Sequence, residues 1–193
     1  MTSTTATSLI VDSLQRRMRA MHSLYHDALA TMDAHHVNHV EREGVLPIAF
    51  SLFHYANMHD VSFMVITGTP PIWSETWQER VQVAIDDHGK HRTVAEMVDQ
   101  QIGDLDAFGE YLRAVFTRTE RWLDDLEPAE LTRVVVPRPL PSQIESTYSA
   151  RVAGPEGVTV LDAVECWLYQ HGLRHMGEIE LARGLVGLGG MTS

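Results

Sequence analysis

The chain has 193 residues, enough for one domain with a sizeable core that needs neither disulfides nor a structural metal. Its 15 Lys+Arg against 26 Asp+Glu give a formal net charge of -11, which repels a phosphate backbone and argues against a nucleic-acid partner. One cysteine, Cys166, excludes an intramolecular disulfide framework and a zinc site built on several thiolates. The start, MTSTTATS, lacks a basic region leading into an apolar stretch, and no segment approaches the ~20 apolar residues that span a bilayer. A reducing cytoplasm and no membrane partner are therefore expected.

The first helical pattern runs from about Thr7 to Ala34, with Ile10, Leu14, Met18, Met21, Tyr25, Ala28 and Met32 on one stripe and Gln15, Arg19, His22 and His26 off it. The residues before it, and the glycine-rich tail from about Gly187, are expected to be disordered. Pro47 suits the first turn of a second helix, which carries Phe50, His54, Met58, Val61 and Val65 and stops at Gly68–Pro71. A polar stretch follows, where Trp73 and Trp77 should pack a short segment onto the bundle. A third helix is expected from Thr93, whose pairing with Glu96 has the form of a capping box, to Pro128. From Leu131 to Val158 prolines, glycines and β-branched residues favour extended chain or a small hairpin, able to cover the mouth of a site. The last helix starts near Thr159, with Asp162 as a capping-box variant, and runs to about Val186. These elements predict an all-α four-helix bundle with an irregular or hairpin insertion before the last helix, one domain over 1–193 with an ordered core of about 8–187.

Chemistry concentrates in the phrase HGLRHMGE, His171 to Glu178. His171 and His175 are one helical turn apart, on a face whose other members are Val160, Val164, Trp167, Leu168, Ile179, Ala182 and Val186. Imidazoles at apolar positions need a hydrogen bond, a charge or a metal ion, so core packing and metal ligation both fit the pair. Open catalytic zinc-type sites commonly take three protein ligands. His54 is the third candidate, because it lies on the apolar stripe of the second helix. Glu178 is the candidate catalytic residue, able to orient a ligand histidine or move protons. Trp167 is a candidate wall of a cofactor pocket, and Tyr55 and Tyr25 are further pocket candidates. Cys166 lies five residues before His171 and is rotated off the ligand face, so a reacting thiol should come from a small molecule. His22 with His26, and His35 with His39, share the four-residue spacing but read as solvated. His59, His88 and His91 read as loop or surface residues, and His36 carries no signal.

The lone histidine within LFHYANMHD, followed far downstream by His-x-x-x-His, one residue, Gly and Glu, resembles the DinB-like (YfiT-like) metalloenzymes, a superfamily that includes mycothiol-dependent maleylpyruvate isomerases and low-molecular-weight-thiol S-transferases. The resemblance spans about Leu9 to Val186. It implies a four-helix bundle, often a homodimer, binding a divalent metal, most often zinc or nickel, through His54, His171 and His175. Many relatives carry a glutamate shortly after the helix-two histidine, where this chain has Asn57, His59 and Asp60. The expected activity is metal-dependent activation of a low-molecular-weight thiol such as mycothiol or bacillithiol, acting on a small-molecule substrate. Hydrolysis by the same ion is the alternative, as is a non-catalytic metal-binding stress protein whose site is closed by His59 or Glu178.

Overall fold

Val11, Leu14, Met18, Met21, Tyr25, Ala28 and Met32 recur at steps of three and four and are buried together, which commits the first segment to helix α1, Thr2–Ala30. The structure, a computed structural model, describes residues 2–191. Helix α1 therefore begins at Thr2, ahead of the expected start at Thr7, and the opening residues expected to be disordered are helical from Thr2 on; Met1 lies outside the described residues. Ile10, predicted on the inner stripe, is exposed, and Val11 takes its place. The helix also stops four residues early. Asp33 accepts from His36 N–H and donates its own N–H to His36 Nδ1, a capping box that starts a separate short helix α2, Ala34–Asn38.

Helix α3, Ile48–Thr67, follows Pro47 and ends at Gly68, which takes the left-handed conformation (φ 76°) and donates to Met64 O. It is buried nearly all round and forms the middle of the molecule. Helix α4, Glu75–Val81, packs on the third long helix, α6 (Leu105–Asp124), and Trp73 and Trp77 set their rings against Tyr111 as expected. The Thr93–Glu96 capping box is present but opens only the four-residue helix α5, Val94–Met97. The chain then leaves the helix because the buried Gln100 side chain brackets Ile85, accepting from its N–H at 2.9 Å and donating to its carbonyl at 2.9 Å. Ile102 is buried in a bridge with Val83. Helix α6 thus runs from Leu105 to Asp124, capped by Asp104, and not from Thr93.

The insertion is a hairpin, as expected. A 3₁₀ turn, Pro128–Thr132, leads into β1, Val134–Pro137, which pairs antiparallel with β2, Gly157–Thr159, around the short helices α7, Ser142–Glu145, and α8, Tyr148–Val152. Thr159 and Asp162 then cap a continuous helical rod made of α9, Val160–Ala163, a π turn, Val164–Gln170, and α10, His171–Leu185. Helices α1, α3, α6 and this rod pack pairwise into a four-helix bundle. The glycine-rich tail folds back: Leu188 N–H donates to Arg183 O, and Leu188 and Met191 pack on the core. Arg183 is itself buried, donating to Thr31 Oγ1 and Gly189 O. Thr192 and Ser193 lie outside the described residues. Among the described residues no helix is long and apolar enough to cross a membrane.

Two histidines read as solvent-facing are in the core. His22 stacks on Phe116 with ring centroids 3.8 Å apart and sets Nδ1 2.6 Å from Glu120 Oε1. His59 is fully buried between Tyr55 and Thr119. Burial holds His59 well below the ordinary imidazole value of 6.5, so the folded protein keeps it neutral. Below about pH 6.5 the unfolded chain takes up a proton that the folded one refuses, and stability falls as pH falls, by up to about 1.4 kcal/mol per pH unit for this one residue. Guanidinium unfolding in chelator at pH 7.5 and 5.5 is expected to show a shallower loss for His59→Gln than for wild type. Parallel losses would mean that His59 titrates normally.

Candidate metal centre

His54 comes from α3, and His171 and His175 from the first turn and a half of α10. One nitrogen from each lies within 4.8 Å of the others. The sequence pattern on the last helix explains how α10 is aimed. Val160, Val164, Leu168 and Gly172 recur at steps of four, and on a straight α-helix each step overshoots the turn by about 40°. The wider π turn absorbs that drift and keeps all four on the buried side, delivering His171 and His175 toward α3. Gly172 sits where the rod touches its neighbours: a Cβ there would meet Met21 Sδ at 2.2 Å and Tyr55 Oη at 2.6 Å.

Each imidazole is oriented by a second partner. The Nδ1–H of His54 donates to the carbonyl of His88. His175 donates Nδ1–H to Glu178 Oε2 at 2.7 Å, and that oxygen also accepts from Ser51 Oγ at 3.0 Å. The His171 ring uses the Trp167 carbonyl, one turn back. Since carbonyls and carboxylates only accept, the His88 and Glu178 contacts place the protons of His54 and His175 on Nδ1 and leave Nε2 of each as a lone pair directed inward. His171 Nε2 and His175 Nε2 face each other at 2.9 Å. A tetrahedral ion with bonds of about 2.0–2.1 Å sets its nitrogens roughly 3.3 Å apart, within the span of this cluster.

Electrostatics keep the ligands available. Burial and the neighbouring His175 lower His54 to about 4, and burial with His175 and His54 lowers His171 to about 2. Both are neutral at physiological pH, the form that binds metal. Glu178 is held below the usual carboxylate range, mainly by its hydrogen bond to His175.

The other predicted site residues lie in different settings. Glu178 touches His175 and Ser51, contacts that fit the orienting role expected of it. Tyr55 is fully buried, with its hydroxyl committed to Leu168 O and His59, so it lies beneath the histidines in the core. Trp167 is partly buried and reaches the cluster through its main-chain carbonyl. His88, read as a surface residue, contributes the carbonyl that orients His54; no periodicity points to a main-chain group in a loop. Ser51, which donates to Glu178, carries no signal in the sequence beyond its place three residues before His54 on α3. Asn57, His59 and Asp60, which stand where relatives carry glutamate, turn to other partners: Asn57 to Tyr111, His59 to Tyr55 and Thr119, and Asp60 to Arg118. His59 is thus not a fourth ligand.

The sequence profile of the DinB superfamily matches residues 17–179, from the middle of α1 through both α10 histidines. The chain belongs to the DinB superfamily. Its all-α architecture is that of this family. A solved structure described as a conserved protein from Enterococcus faecalis has the same DinB-like fold, with TM-score 0.64 and 20% identity over 96% of this chain and 98% of that one. Among curated proteins none matches. Glu178 accepts from His175 Nδ1–H, the contact that a metal-ligating histidine commonly makes with a carboxylate. Glu178→Gln is expected to weaken zinc binding about 10- to 100-fold, measured by competition with a chromophoric chelator. Wild-type affinity in that variant would make Glu178 an ordinary surface acid.

Proposed function

We propose that His54, His171 and His175 hold a divalent transition metal, zinc or nickel, and that the protein is an enzyme that uses it to activate a low-molecular-weight thiol, such as mycothiol or bacillithiol, for transfer to an electrophile or for an isomerisation. The observation that carries this reading is the donor set: one nitrogen from each of three histidines within 4.8 Å of the others, with His54 Nδ1 engaged by the His88 carbonyl and His175 Nδ1 by Glu178. An all-imidazole set suits zinc, nickel, copper or iron and leaves the ion its full positive charge. Bound there, such an ion supplies Lewis acidity that ionises a thiol, whose unperturbed pKa is about 8.5, more readily than water.

The chain's own residues define the rest. Ser51 and Glu178 fix the His175 ring, the His88 carbonyl fixes His54, and the Trp167 carbonyl fixes His171. Cys166 is unsuited to be the reacting thiol: burial, with Asp162 and Glu165 nearby, pushes it up to about 11, and it lines a groove of about 470 Å³ with Leu9, Ile10 and Arg17 on the α1 side of the rod. That supports a thiol brought by a small-molecule cofactor. Leu173, Leu181 and Leu185 of α10 are exposed beside Arg174 and Glu178, apolar side chains that a second copy would cover, which supports a homodimer. Cytoplasmic residence fits the single free cysteine.

The test is turnover. Zinc- or nickel-loaded protein is expected to conjugate a test electrophile with mycothiol or bacillithiol, and His171→Ala to abolish the reaction. Equal rates in the variant would remove the proposal, and hydrolysis of ester or amide substrates without added thiol would replace it with a metal-dependent hydrolase.

A further inference from the structure

Behind the histidine cluster a chain of buried polar groups crosses the bundle core. Thr119 Oγ1 of α6 lies 2.8 Å from His59 Nε2, His59 Nδ1 lies 3.0 Å from the Tyr55 hydroxyl, and Tyr55 donates to Leu168 O at 3.0 Å. Thr119, His59 and Tyr55 are fully buried. The direction of the chain follows from its last link. The Tyr55 proton takes Leu168 O at 3.0 Å over Met21 Sδ at 3.5 Å; His59 then donates Nδ1–H to Tyr55 and accepts at Nε2 from Thr119, 2.8 Å away, which directs that hydroxyl proton to His59 in preference to Val115 O at 3.2 Å. All three links run one way, an arrangement in which each bond polarises the next.

The receiving carbonyl belongs to the π turn, Val164–Gln170, that ends where His171 begins. A π turn winds wider than the α-helix and is uncommon except where surrounding structure enforces it. Side chains from outside hold this one at both sides of His171: Tyr55 takes Leu168 O, and Tyr25 donates to Gly172 O at 2.8 Å. The Tyr55 ring meets the His171 ring edge-on, centroids 5.7 Å apart.

We infer that Thr119, His59 and Tyr55 form a strut from α6 that sets the π turn and thereby positions the His171 imidazole; Tyr55 is a positioning residue. This rests on the reading of His171 as a metal ligand, but it makes a claim about the metal-free ring as well.

The experiment compares Tyr55→Phe, which deletes one hydroxyl and keeps the ring, with Thr119→Val, which cuts the strut on a helix that carries no ligand. In metal-free protein the imidazole ¹⁵N and ¹H resonances of His171 are expected to shift in both variants. Cobalt(II) titration is expected to show altered visible bands and 10- to 100-fold weaker affinity in Tyr55→Phe, with a smaller change of the same sign in Thr119→Val. Unshifted His171 resonances together with wild-type cobalt spectra, beside lower thermal stability in chelator, would reduce the chain to core packing and overturn the inference. If wild-type protein takes up no cobalt, the metal centre fails while the His171 resonances still decide the strut. If Tyr55→Phe does not fold, Thr119→Val and His59→Gln decide it by the same two readouts.

Discussion

Asp60→Ala is expected to destabilise the fold by about 3–5 kcal/mol, lowering the melting temperature by roughly 6–20 °C. Asp60 is completely buried on α3 and pairs with Arg118 of α6, whose side chain is 19% exposed. Its two oxygens also accept from Ile72 N–H at 3.0 Å, Trp73 N–H at 2.8 Å and the Tyr111 hydroxyl at 3.2 Å. Arg118 in turn donates to Pro70 O and lies over the Phe63 ring. One carboxylate therefore ties the turn after α3 to the third long helix. Removing it leaves a guanidinium and two main-chain donors short of acceptors, and the uncompensated cation dominates the loss. Asp60→Asn keeps an acceptor for Ile72 and Trp73 but not the charge, so it should fall between wild type and Asp60→Ala in guanidinium unfolding. Equal stability of all three would mean that the Asp60–Arg118 pair is solvated.

The second large effect is linkage between metal and fold. An ion that binds the native cluster and not the unfolded chain adds about 4 kcal/mol at a free concentration 1,000-fold above its dissociation constant. Unfolding with buffered zinc is compared with unfolding in chelator, so any packing change in a variant cancels in the difference. Wild type should show the full increment and His171→Ala almost none. An increment that survives in His171→Ala would place the ion elsewhere on the chain.

The parts of this architecture that follow a period were legible in the sequence. The stripe of α1, the start of α3 at Pro47, its stop at Gly68, the Thr159–Asp162 cap and the His171–His175 pair all express spacings that one helix imposes on itself. The errors came where a tertiary contact outranked a local signal. Thr93 and Glu96 do form their capping box, yet Gln100 then reaches across to Ile85 and the long helix waits until Leu105. His22 is off the apolar stripe of α1, but the stacked Phe116 ring and Glu120 of α6 close over it. The start of α1 was misplaced because threonine and serine give no apolar period to read.

The site divides in the same way. His54, His171 and His175 were legible because imidazoles on apolar stripes are conspicuous. The groups that orient them were less so: Glu178 sits within the phrase, but the His88 carbonyl and Tyr55's hold on Leu168 arise from three-dimensional contacts. The π turn left a trace in the four-residue steps of Val160, Val164, Leu168 and Gly172, which a straight helix does not keep in phase.

The most direct test of the account is elemental analysis of purified wild-type protein beside His54→Ala. His54 is separated from the other two ligands by more than a hundred residues, so its effect on bound metal reports the assembled cluster and not a local pair on α10. The account predicts about one equivalent of divalent transition metal per wild-type chain and little in the variant. Metal absent from both, or present equally in both, would contradict it and return the three histidines to the role of hydrogen-bonded core residues.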